Sequence, residues 1–182
     1  GALFTCFMVI PAVNFCAQKY GKRITFLLSQ SVSLVGYILL WWGFSPDQPW
    51  LMFLPLPLFS FGIGGLFTIM MSMTGDVCDM DELETGERRA GTFGAIYWLM
   101  VKIGTGLALM SAGFIMHAIG WDSTAASQTN EALFLLRLSY IIVPSVGSML
   151  AILVMLNYDL DETKANDIRA QLDARQAANV AN

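Results

Sequence analysis

Long apolar runs with almost no charge limit what this chain can fold into. Residues 24–44 and 51–75 carry no charge, residues 93–119 contain only Lys102 and His117, and residues 133–156 contain only Arg137. Residues 1–17 are also uncharged. Because about 20 consecutive apolar residues cross the hydrocarbon core of a bilayer, these runs predict an all-α membrane protein with five transmembrane helices, at about 1–17, 24–44, 51–75, 93–119 and 133–156.

The charge content agrees with this class of protein. Only 13% of the 182 residues are charged, whereas an ordinary soluble domain has about 25%. A net charge of −4 argues against nucleic acid as a partner. The three cysteines lack the paired spacing of a metal site or a disulfide framework. The chain begins inside an apolar run, without a signal-peptide pattern, and we therefore expect it to be the later part of a larger protein.

Basic residues alternate between the connections, and this alternation predicts the topology. The connections after the first and third predicted helices and the tail contain Lys19, Lys22 and Arg23, then Arg88 and Arg89, then Lys164, Arg169 and Arg175. The connections at 45–50 and 120–130 contain neither lysine nor arginine. Lys and Arg in short connections mark the cytoplasmic side, so we expect a cytoplasmic C-terminus.

A third of the charged residues lie in one short stretch, TGDVCDMDELETGERRAGTF, at residues 74–93. Eight of the 24 charged residues are there, and the topology makes this connection cytoplasmic. Acidic and basic groups on one membrane face can hold helix ends together, although each exposed pair contributes only about 0–1 kcal/mol. The sequence therefore predicts a cytoplasmic gate, a network formed by Asp76, Asp79, Asp81, Glu82, Arg88, Arg89, Lys19, Lys22 and Arg23. Clustered carboxylates also bind Mg²⁺ together with phosphates, which leaves a magnesium-dependent membrane transferase as an alternative.

Lys102 is the most informative single residue. It lies about 15 Å into its predicted helix at 1.5 Å per residue, and a lysine near the bilayer centre costs roughly 2.5–3.5 kcal/mol on insertion scales. Such residues usually face a bundle interior or a water-filled cavity. Trp98 shares its helix face and Tyr97 lies beside that face, so the three side chains are candidates for binding a solute. The alternative for both aromatic residues is ordinary helix packing.

These residues carry a family resemblance. The stretch GDVCDMDELETGERRAGTFGAIYWLMVKIGTGLALMSAGFIMHAIGW resembles helix eleven, and the connection before it, of the glycoside–pentoside–hexuronide:cation symporters, the melibiose-carrier-like branch of the major facilitator superfamily. The turn QKYGKR is similar to the basic turn between helices eight and nine, and NYDLDETKANDIRAQLDARQ is similar to the family's cytoplasmic tail. The resemblance implies helices 8–12 of a twelve-helix fold, with residues 1–157 as part of the C-terminal six-helix bundle and residues 158–182 as a cytoplasmic tail.

The resemblance also implies a function. The family takes up a sugar or glycoside with Na⁺ or H⁺ by alternating access, without enzymatic chemistry, in the bacterial inner membrane. The lysine that matches Lys102 lies near the sugar and cation sites, and the positions of Tyr97, Trp98 and Phe67 line the sugar site. The implied partners are a small-molecule sugar or glycoside, the coupling cation and membrane lipid. No cofactor or metal site is implied, and the cation is expected to bind mainly in the missing N-terminal half. A related carrier for a lysolipid or a drug remains the main alternative.

Overall fold

The structure, a computed structural model, describes residues 2–43, 49–121, 128–158, 160 and 162–180. The described residues form six α-helices and a short 3₁₀ helix, Pro49–Phe53, and contain no strand. The α-helices are α1 (Ala2–Tyr20), α2 (Lys22–Gly43), α3 (Leu56–Thr85), α4 (Ala90–Ala118), α5 (Asn130–Leu156) and α6 (Glu162–Val180). The connections at 45–50 and 120–130, which contain neither lysine nor arginine, lie partly outside the described residues. Residues 44–48 and 122–127 are the parts that the structure does not describe.

The all-α membrane fold is confirmed. Four of the described helices, α2 to α5, are long and apolar enough to cross a membrane. The first predicted span corresponds to α1, which has 19 residues and is not among those four. Its role as a fifth span therefore stays a prediction, as does the division of the chain at residue 157.

The acidic stretch lies mostly on a helix, which corrects the expectation that residues 74–93 form a connection. Helix α3 continues for ten residues past the predicted end of its span, and α4 begins at Ala90. Gly86 ends α3 in the left-handed conformation, with φ of +76°, and its backbone N–H donates to the carbonyl oxygen of Glu82. Because residues 76–85 are helical, acidic side chains three and four residues apart share a face, and this spacing aligns them for common partners.

Helices α2 and α3 make the closest contact in the bundle, through small residues. Ser29 and Ser33 of α2 are fully buried against Gly62 and Gly65 of α3. The side chain of Gln30 donates a 3.1 Å hydrogen bond to the carbonyl oxygen of Gly62. Small residues let two membrane helices approach closely enough for such contacts. Around this contact, an apolar core of Val9, Val13, Phe26, Ile69, Met73 and Met155 joins four helices.

Replacing Gly62 by alanine should destabilise the bundle. A Cβ at this position would overlap both side-chain atoms of Ser33, and overpacking of this kind costs roughly 1–3 kcal/mol. Gly147→Ala is the matched control, because a Cβ there would meet no atom within 4 Å. We expect a lower apparent melting temperature in detergent for Gly62→Ala than for Gly147→Ala. Equal melting temperatures for the two variants would mean that the α2–α3 contact adapts to the extra methyl group.

Candidate functional site

One face of α4 lies against the other helices. Phe93, Ile96, Tyr97 and Met100 line a cavity of about 360 Å³ together with residues of α3 and α5. Farther along, Ala108, Ser111, Ala112, Ile115 and Met116 line a second cavity, of about 420 Å³, bounded by α2, α3 and α5. These positions form a stripe with helical spacing. No described residue of α4 is fully buried, so the helix packs loosely on the bundle.

Lys102 lies on the opposite side of α4. It lies two positions after Met100, which corresponds to a rotation of about 200° at 3.6 residues per turn. The Lys102 side chain is exposed, and it forms no hydrogen bond or ion pair with any residue in the described part of the chain. Twelve residues separate it from the start of α4 and sixteen from its end, so it lies near the middle of a helix that can cross the membrane.

The structure separates the four predicted substrate residues into three places. Trp98, one turn before Lys102, is 48% exposed and lies on the same open face. The ring of Tyr97 packs edge-on against Trp98, at 5.5 Å between centroids, but Tyr97 lines the cavity against α3 and α5. Phe67 lines a different cavity, of about 230 Å³, with Gln30 and other residues of α2, α3 and α5. Trp98 is therefore the aromatic residue of this set that shares the open face with Lys102.

The carboxylate of Asp76 is the centre of the charged end of the molecule. This side chain is 4% exposed. One of its oxygens lies 2.6 Å from Nζ of Lys22, at the start of α2, and the other lies 2.5 Å from Nη2 of Arg169, in α6. Charge-assisted bonds of this length are among the stronger hydrogen bonds in proteins. Asp76 thus joins three helices through one carboxylate.

Three further acidic residues, Asp79, Asp81 and Glu82, pair with the arginines of the short α3–α4 turn. Arg89 donates two hydrogen bonds to the two carboxylate oxygens of Asp81, at 2.9 and 2.6 Å. Arg88 lies 3.2 Å from a carboxylate oxygen of Glu82 and 3.9 Å from one of Asp79. Both arginines are about half exposed, so each of these pairs contributes little by itself. We call the charged residues joined in this way the ion-pair network; its members are Lys22, Asp76, Asp79, Asp81, Glu82, Arg88, Arg89 and Arg169.

Two of the predicted gate residues have other partners. Arg23 donates a 2.6 Å hydrogen bond to the carbonyl oxygen of Leu156, at the last turn of α5, where a cation also interacts favourably with the helix dipole. Nζ of Lys19 lies over the ring of Tyr20, at 5.4 Å from its centroid, and it forms no ion pair with a described residue. The basic turn therefore connects α2 to α5 as well as to α3.

Sequence reasoning assigned no partner to the tail, yet helix α6 packs on α3. Arg169 also reaches Asp79, at 3.5 Å, and Arg175 donates a 2.9 Å hydrogen bond to the carbonyl oxygen of Leu83. Ala165 and Leu172 are buried in this contact. A signal for this packing exists in the sequence: Ala165, Ile168 and Leu172 follow helical spacing within an otherwise polar segment.

Tyr158 lies beside this network, just after α5. Burial raises the pKa of its phenol, and the negative charge of Asp76 raises that pKa further. The phenolic oxygen is buried and has no hydrogen-bond partner among the described residues. Both effects favour the neutral phenol of Tyr158 beside the carboxylate of Asp76.

No metal centre is found among the residues that the structure describes. In these ranges no three His, Cys, Asp or Glu side chains are grouped so that they could hold a metal ion. The carboxylates of Asp76 and Asp81 instead bind cationic side chains. The carboxylates of the acidic stretch thus accept hydrogen bonds from arginine and lysine, an arrangement suited to holding helices together.

Spanning helices joined by ion pairs at one end define a helical integral membrane protein. The family model described as "MFS/sugar transport protein" matches residues 2–162. An uncharacterized symporter of Synechocystis sp. is 30% identical over 168 residues, which cover 90% of this chain and 31% of the relative. The chain belongs to the glycoside–pentoside–hexuronide:cation symporter family of the major facilitator superfamily.

Other relatives carry names of solutes. A glucuronide carrier protein homolog of Escherichia coli (strain K12) is 26% identical over 91% of this chain and 36% of the relative. An isoprimeverose transporter of Lactiplantibacillus pentosus is 25% identical over 97% of this chain and 36% of the relative. The chain spans about a third of the length of these curated relatives.

Proposed function

We propose that this chain is the C-terminal part of a secondary active transporter that moves a sugar or glycoside together with a cation, by alternating access. The observation that carries the proposal is Lys102, a cation in the middle of a spanning helix, on a face that the described helices leave uncovered. An ionisable residue at this depth is costly in lipid and marks a solute or ion path. Relatives named for a glucuronide and for isoprimeverose support a glycoside as the solute.

In this proposal, Lys102 and Trp98 face the solute path between two halves of the transporter. The indole ring of Trp98 packs on the apolar CH face of the sugar, and the ammonium group of Lys102 binds its hydroxyl groups. Tyr97 supports Trp98 from the neighbouring cavity through the edge-on ring contact. Phe67, on α3, forms a wall of a separate cavity and contacts the solute only if α3 and α4 shift during transport.

The ion-pair network is proposed as the cytoplasmic gate. In this proposal the network lies at the cytoplasmic side of the inner membrane of a bacterium, with α6 also cytoplasmic. Its lysine and arginine residues support this orientation under the positive-inside rule. A few kcal/mol, the sum of several such pairs, is the scale of a switch between two conformations. The coupling cation, Na⁺ or H⁺, binds mainly to the N-terminal half in this proposal.

An accumulation experiment tests the proposed function. Cells that express the complete transporter, and cells with the empty vector, are given radiolabelled glycosides, including a glucuronide and a pentose-containing disaccharide. We expect accumulation above the external concentration, which collapses when the sodium or proton gradient is removed. Transport of a lysolipid or a drug without movement of any glycoside would overturn the assignment, as would chelator-sensitive enzymatic activity without solute movement.

A further inference from the structure

We infer that Arg169 is a positioning residue of the gate, and that the tail helix α6 belongs to the moving part of the transporter. The inference rests on the proposed function and deepens it. Arg169, in α6, reaches two carboxylates of α3: its guanidinium group lies 2.5 Å from Asp76 and 3.5 Å from Asp79. These two acidic residues are three positions apart and share a helix face, so one planar guanidinium group holds both.

Asp79 connects Arg169 to the start of α4, because its carboxylate also contacts the turn before that helix. The other oxygen of Asp79 lies 3.9 Å from Arg88, in the four-residue turn that precedes α4. Arg88 in turn binds Glu82 at 3.2 Å. A continuous path of charged contacts therefore runs from α6, through the end of α3, to the start of the helix that contains Lys102. When Arg169 releases Asp76 and Asp79, the carboxylate of Asp79 loses the partner that positions it for Arg88, and the hold of α3 on this turn weakens.

Further contacts attach α6 to the bundle, and they do not involve these carboxylates. A carboxylate oxygen of Glu162 accepts a 3.2 Å hydrogen bond from the backbone N–H of Lys22, at the start of α2. Arg175 donates to the carbonyl oxygen of Leu83, and Leu172 is buried. Because these contacts keep α6 in place when Arg169 is changed, substitution of Arg169 isolates the effect on the carboxylates from loss of the whole helix.

Uptake kinetics of Arg169 variants of the complete transporter test the inference. Arg169 lies far along the chain from Lys102 and acts on the gate, so Arg169→Ala should lower Vmax about tenfold, a factor equivalent to about 1.4 kcal/mol, and leave KM unchanged. Arg169→Lys should recover only part of Vmax, because an ammonium group can hold Asp76 but does not span Asp76 and Asp79 as the planar guanidinium does. Arg175→Ala is the matched control; it removes a bond from α6 to α3 without touching a carboxylate, and should transport like the wild type after correction for protein amount.

Trypsin cleavage at the α3–α4 turn provides a second measurement that does not depend on transport. In detergent-purified transporter, Arg169→Ala should speed cleavage after Arg88 and Arg89, and Arg175→Ala should not. Unchanged cleavage and unchanged Vmax in Arg169→Ala would overturn the inference. Equal losses in Arg169→Ala and Arg175→Ala would assign α6 a purely structural role. A wild-type protein that moves no glycoside would contradict the proposed function instead, and the cleavage rates would still decide the role of Arg169.

Discussion

Accumulation of solute against its gradient should be lost when Lys102 is replaced by alanine, while the amount of protein in the membrane stays the same or rises. Lys102 is exposed on α4 and bonds to no residue in the described ranges, so its removal breaks no contact that holds the bundle together. Its removal also relieves the insertion cost of a lysine near the bilayer centre, roughly 2.5–3.5 kcal/mol. A loss of transport would then report on function and not on folding.

Two further variants distinguish an effect of the positive charge at Lys102 from a general effect of changing the exposed surface of α4. Ile103→Ala removes a neighbouring side chain of α4 that is 48% exposed, and it should keep normal accumulation. Lys102→Arg keeps the positive charge and should retain binding of the solute more than Lys102→Ala does, although arginine and lysine present their donors differently. Uptake of labelled glycoside and an immunoblot of membranes measure both quantities. Normal accumulation in Lys102→Ala would make the lysine structural and remove the main support of the proposed solute path.

The spanning helices could be predicted from the sequence because the requirement is local. A bilayer core demands about 20 apolar residues in a row, and the run at 133–156 meets this demand without information from any other part of the chain. The end of α3 was misplaced for a related reason. Charge marks where a helix leaves the bilayer, but a helix can continue into water, as α3 does to Thr85.

The orientation of α4 could not be predicted from the sequence. Apart from Lys102 and a few scattered polar residues, α4 is apolar on every side, so no continuous polar face indicated which side packs on the bundle. The structure places Tyr97 in the packed stripe and Trp98 on the open face, although the two residues are adjacent in the sequence. Only the contacts of α4 with α3 and α5 make this distinction.

The packing of the tail helix α6 on α3 also could not be predicted from the sequence. Most residues of α6 are polar, and a polar helix is usually solvated. One of its attachments is the bond from Arg169 to Asp76, which lies 93 residues away in the chain. Opposite charges on one membrane face indicated that a network exists, but tertiary contacts decide which cation binds which carboxylate. Lys22 and Arg169 thus hold Asp76, while Arg23 binds the end of α5.

Replacing Asp76 by alanine should have the largest effect on stability in the network. The substitution leaves Lys22, whose side chain is only 16% exposed, beside Arg169 without the carboxylate between them. Removing one partner of a buried ion pair costs about 3–5 kcal/mol. Arg169 is 47% exposed and can turn towards water, so we expect roughly 3 kcal/mol, the lower end of that range. The expected readouts are a lower apparent melting temperature in detergent and faster trypsin cleavage within α6.

Asp81→Ala is the control for this experiment, since it removes a carboxylate of the same stretch. Asp81 is 19% exposed, and its partner Arg89 is 46% exposed. Because water and salt screen such a pair, its loss should cost no more than about 1 kcal/mol, despite the two hydrogen bonds. The melting temperature should therefore fall clearly more in Asp76→Ala than in Asp81→Ala. Equal losses of stability in the two variants would mean that the burial of Asp76 between α2 and α6 does not determine how strongly the ion pairs stabilise the protein. The hydrogen-bond geometry at the arginines would then determine it.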